Sequence, residues 1–270
     1  MDIIFEMFSH TFIVRAMIVG VLVSLCAALL GVSLVLKRYA MIGTGLSHVG
    51  FAAMTIAGVI GMGEINLALP VVVGAAFLLL RVSENSKIKG DSAVALISTS
   101  SLSIGVIVMA MTTGLTLHIC NIMFGSIFAM TQQTVQLSVV LSIVVITLFI
   151  LFYKQLFAVT YDETFARATG TKTWAYKTLL ALLTAVTVVL GMQMMGALLI
   201  ASLTLFPALT AMRICKRFLT VVITAAVVGV SCFFVGMIFS FQFDLPPGAS
   251  VVAVNLVVFS VFSIIGLLKR

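Results

Sequence analysis

Residues 41–62 read MIGTGLSHVGFAAMTIAGVIGM. The run is roughly 20 residues long, enough for a helix to cross the hydrocarbon core of a bilayer. Its one strongly ionisable group is His48. An ionisable side chain inside a membrane helix is costly, so it usually faces the protein interior or a water-filled path and marks a functional position. Thr44 and His48 stand four residues apart and stack on one helical face, with Ser47 beside them. Gly43, Gly45 and Gly50 remove bulk, so another helix or an ion can approach the backbone closely. An imidazole can also hydrogen-bond a neighbouring helix, and the stretch leaves both uses of His48 open.

The rest of the chain supports a membrane reading. Of its 270 residues 62% are hydrophobic and 9% charged, whereas charged residues make up about a quarter of a soluble domain. A soluble globule is excluded, and the fold class expected is all-α, a polytopic helical bundle. No charged segment followed by a short apolar core and a small-residue cleavage site precedes the first long apolar run, so no removable signal peptide is expected. The opening MDIIFEMFSHTF reads as a short amphipathic lead-in. Cys26, Cys120, Cys215 and Cys232 lie far apart and form neither a CxxC pattern nor a disulfide framework. They read as small apolar packing residues.

A formal charge of +7 could suggest nucleic acid, but its distribution argues against that partner. Lys37 and Arg38, then Arg81, Lys87 and Lys89, then Lys154 to Lys177, then Arg213, Lys216 and Arg217, then Lys269 and Arg270 fill every second gap between apolar runs. The intervening gaps hold Glu64 and Asp244. Basic residues stay in the cytoplasm, so the alternation orients the chain with its N-terminus outside and its C-terminus inside.

Spans are expected at about 13–36, 41–62, 67–80, 92–112, 134–153, 178–192, 196–212, 218–241 and 250–268, about 8–9 transmembrane helices in all. Pro70 is placed in the first turn of the third, where a missing N–H has no partner to lose. The fourth carries Ser98, Thr99, Ser100, Ser101 and Ser103, more hydroxyls than a lipid-facing surface needs, which suggests a wet or interhelical face. Residues 114–133, GLTLHICNIMFGSIFAMTQQ, are too broken for a span and read as an external loop with a re-entrant half-helix around residues 123–130. His118 and Cys120 within it make a weak metal pair.

The longest connector, residues 155–177, QLFAVTYDETFARATGTKTWAYK, changes from lipid-like to mixed charge. Asp162 and Glu163 can start a short helix, Arg167 lies four residues after Glu163, and Gly170 is a natural stop. A second short helix is expected toward Lys177. Phe165 and Trp174 would be exposed aromatics there, which points to a docking surface for a soluble partner. No GxxxxGK[ST] phosphate loop occurs, so the energy source is expected in another chain or an ion gradient. Every Asp and Glu lies in a loop or at a span end, which argues against a gradient-driven secondary transporter. One intramembrane histidine does not supply the ligands of an intramembrane metallohydrolase.

KRYAMIGTGLSHVGFAA (37–53) resembles the hallmark of the ABC-3 permeases, in which a basic pair precedes a GDxLSH motif. These permeases are the membrane subunits of bacterial zinc, manganese and iron importers. YDETFARATGTK (161–172) resembles their coupling segment, GALLIASLTLFPALTAMR (196–213) their penultimate block, and DLPPGAS (244–250) their last external loop. The resemblance implies a single permease domain over 1–270 in the bacterial inner membrane, not itself an enzyme and with no permanently bound cofactor. It would work as a homodimer with a cytoplasmic ATP-binding-cassette ATPase and an extracytoplasmic metal-binding protein. His48, with Thr44 and Ser47, would line the metal path, and Asp162, Glu163, Phe165, Arg167, Gly170 and Trp174 would couple to the ATPase. The family usually has Asp where this chain has Thr44, so of its Asp and His pair only His48 carries over. Losing a hard anionic ligand moves the expected cargo toward zinc, with manganese or iron as the other candidates.

Overall fold

The computed structural model describes residues 11–37, 39–85, 90–112, 123, 125 and 132–268. In chain order its helices are α1 (Thr11–Leu36), α2 (Ile42–Ile60), α3 (Glu64–Asn85), α4 (Gly90–Ala110), α5 (Gln132–Leu151), α6 (Tyr153–Tyr161), α7 (Glu163–Ala168), α8 (Thr173–Met195), α9 (Ala197–Ile214), α10 (Phe218–Phe243) and α11 (Pro247–Leu268). Nine of these, all but α6 and α7, are long and apolar enough to cross a membrane. The protein is an all-α polytopic bundle.

Backbone polar groups have no water to bond in hydrocarbon, so continuous apolar runs close their own hydrogen bonds as helices. Hydroxyls inside the spans follow the same logic. Thr55, Thr184, Thr187 and Thr210 each donate to the carbonyl four residues back in their own helix.

α1 and α2 are the most enclosed helices, and α11 is the least. α1 packs on α5, α8, α9 and α10, while α2 is held by α3, α4, α8 and α9. α4 contacts α2 and α3, so one long side of it is open. Phe51, Met54, Leu46 and Met192 anchor a core shared by α1, α2, α3, α8 and α9, and Leu30, Phe149, Leu156 and Leu180 anchor a second near the ends that carry α6 and α7.

Three local differences from the sequence expectations have physical causes. The third span begins at Glu64, so Pro70 lies in the helix interior and not in its first turn. Its ring is exposed there and the helix continues through it. The two short helices of the connector are α6 and α7, because residues from Thr173 onward run straight into α8. α8 and α9 are separated by Gly196 alone, at φ 86° and ψ 157°, a conformation essentially confined to glycine. The re-entrant half-helix around residues 123–130, and His118 and Cys120, lie outside the described residues apart from Met123 and Gly125.

Candidate functional site

α2 is positioned by small residues. A Cβ on Gly105 of α4 would come within 2.7 Å of the Phe51 ring and 3.1 Å of the Ala52 Cα, so only glycine lets α4 lie this close to α2. That approach brings Ser98 of α4 to His48 of α2, with Nδ1 and Oγ 2.6 Å apart. Ser98 is buried, whereas His48 and Thr44 are half-buried and share one face of α2. Ser47 is fully enclosed and its hydroxyl donates to the Thr44 carbonyl at 2.8 Å. The structure therefore brings His48 and Thr44 to a common partly open surface and turns Ser47 inward.

Chemically this surface offers an imidazole nitrogen and a hydroxyl oxygen, with no carboxylate on α2. Among the described residues no group of three or more His, Cys, Asp or Glu gathers into a closed metal centre. Cys26 and Cys232 are buried, and the Cys26 thiol donates to the Ser142 carbonyl at 3.5 Å. The open side of α4 carries Ser92, Thr99, Ser100 and Ser103.

The second candidate region is α7 and its flanks. Asp162 caps α7, its Oδ1 accepting from the Phe165 N–H at 2.9 Å. Arg167 donates to Glu163 at 3.1 Å, one turn away, and Gly170 follows the helix with a left-handed backbone. Glu163 also pairs with Lys177, a lysine nine-tenths buried at the foot of α8. Burial pushes the Glu163 carboxyl up, but the bond and charge of Lys177, with the charges of Lys37 and Arg167, outweigh it and hold the group below its ordinary value of 4.5. The Arg167 contact is exposed and weak, so the Lys177 contact is the one that fastens α7 to the bundle. Phe165 and Trp174 are 64% and 73% exposed, and Tyr161 stands out beside them, stacked on Phe157.

Sequence reasoning missed two partners. Ser98 was one hydroxyl among six on α4, and which of them meets His48 depends on how α4 is rotated against α2. Lys177 stood at the end of the connector, and its pairing with Glu163 follows from the turn at residues 169–172.

The family model ABC-3, described as the ABC 3 transport family, matches residues 9–266. The chain is 28% identical over 255 residues to the manganese transport system membrane protein MntC of Halalkalibacterium halodurans, covering 94% of this chain and 87% of that protein. It is 28% identical over 268 residues to a Haemophilus influenzae protein named "Probable iron transport system membrane protein", covering 97% and 92%. A solved structure, PsaBC from Streptococcus pneumoniae in complex with Fab, superposes with a TM-score of 0.85 at 24% identity, over 97% of this chain and 94% of that one. That likeness shows the fold.

Proposed function

This chain belongs to the ABC 3 transport family and is a multi-pass protein of the cell membrane, and from that premise we propose that it is the permease subunit of an ATP-driven importer of divalent metal ions. The observation that carries the reading is His48, an imidazole half-open on a spanning helix and on the same face as Thr44 one turn away. A neutral imidazole nitrogen is a ligand for zinc, iron and manganese, and the absence of a carboxylate at position 44 favours zinc among them. The relatives named above carry manganese and iron in their names, so the class of cargo is divalent first-row metal.

Two copies would enclose the path. Thr44, His48, Thr99, Ser100 and Ser103 make a poor surface for lipid, and a second copy across a two-fold axis would cover them and supply a second imidazole. The ATPase would dock on residues 162–177, where capped α7 presents Phe165, the first turn of α8 presents Trp174, and Glu163 fastens the two helices through Lys177. A metal-binding protein outside the cell would deliver the ion to the loops around Glu64 and Asp244, on the face that the basic residues avoid.

Uptake of zinc and manganese by cells carrying the full importer tests the reading. His48→Ala, matched to the wild type for membrane abundance, should abolish or greatly slow uptake while ATP hydrolysis by the partner persists. Unchanged uptake would remove the metal path from α2.

A further inference from the structure

We propose that Ser98 is the positioning residue for His48: the Nδ1–H of the imidazole donates to Ser98 Oγ, which leaves Nε2 unprotonated and turned to the open side of α2 as the metal-binding atom. The inference rests on the transport reading and deepens it, since α2 alone does not determine which ring nitrogen is available.

Either group can donate across the 2.6 Å contact, and the ligand role sets the direction: a neutral ring that offers Nε2 to a cation carries its proton on Nδ1. Nδ1 is the edge of the ring turned to buried Ser98, so the opposite edge, with Nε2, is the one that points away from α4. A serine hydroxyl carries one proton and two acceptor positions. When it accepts from Nδ1–H, the contact fills one of those acceptor positions. The opposite direction would place the ring proton on Nε2 and close the open edge to a cation. A ligating histidine commonly hands its other N–H to such an acceptor, which fixes both tautomer and ring orientation, and losing the acceptor costs about 10- to 100-fold in metal affinity. Thr44 fits the same arrangement, because it shares the open face with His48 and not the buried edge.

The test uses full-length protein in lipid nanodiscs with histidine labelled by nitrogen-15. Its three histidines are His10, His48 and His118, and the His48 signals are assigned as those lost in His48→Gln. At neutral pH the wild type should show His48 protonated at Nδ1 and free at Nε2, and zinc chloride should shift the Nε2 signal. Ser98→Ala should move the proton to Nε2, the form free histidine prefers, and weaken zinc binding at His48 at least tenfold. Ser98→Thr, which keeps the hydroxyl, should retain the wild-type tautomer. A wild-type ring protonated at Nε2, or a Ser98→Ala protein with unchanged tautomer and zinc affinity, would overturn the inference while leaving zinc binding by His48 standing. Absence of any zinc effect on His48 in the wild type would overturn it together with His48's place on the path.

Discussion

At the scale of single residues the proposed metal path turns on a pair of neutral donors, His48 and Thr44, one helical turn apart. Thr44→Asp would place a carboxylate on the same partly open face. Carboxylate oxygen suits harder ions, so the variant should take up manganese relative to zinc in a higher ratio than the wild type. Paired uptake measurements at matched abundance check this, and an unchanged ratio would mean that position 44 does not meet the ion. His48 was legible in the sequence because it is the one strongly ionisable group in its apolar run. Ser98 was not, because six hydroxyls stand on α4 and their rotation about the helix axis is decided where Gly105 meets Phe51 and Ala52, which are remote from α4 in sequence. Ser47 shows the same limit from the other side: adjacent to His48 along the chain, it faces inward and bonds the Thr44 carbonyl.

Among the elements, the long helices were readable from hydropathy and length, since an apolar run of spanning length has one way to satisfy its backbone in lipid. The connector was less so. Its mixed composition admits a break at several places, and packing sets it: Leu156 and Val159 of α6 are buried, Ala166 of α7 is buried, and Lys177 ties Glu163 to α8. That tie makes α7 sensitive to acid. The Glu163 carboxyl is held below its ordinary value, so its contribution is present in full above about pH 4.5 and is lost as pH falls through the lowered value. Glu163→Gln removes the charge at every pH. Thermal unfolding of purified protein should therefore show the variant less stable than the wild type at pH 7, with the difference shrinking below pH 4.5. A gap that stays constant on acidification would mean that the pair contributes no charge-dependent stability.

For the whole molecule the charge pattern predicts the orientation, because lysine and arginine gather in alternate connections. In a background with Cys26, Cys120, Cys215 and Cys232 replaced, a cysteine at Asn85 should react with a membrane-impermeant thiol reagent only after the membrane is opened. One at Glu64 should react in intact cells. The opposite pattern would invert every assignment of inside and outside. The same architecture has a mechanical side. α8 has 23 residues, a rod about 35 Å long at 1.5 Å per residue. It is pinned at one end by Lys177 to α7 and joined at the other to α9 through Gly196 alone. With the ATPase docked on α7 as proposed, a push there would be carried along the rod to a single articulation, and α2 packs against both arms. Gly196→Ala would stiffen that articulation, since the backbone there costs any other residue about 1–3 kcal/mol. The variant should melt at a lower temperature and import metal more slowly, with its hold on the ATPase in co-purification unchanged. Import at the wild-type rate would mean that the stroke bypasses this joint.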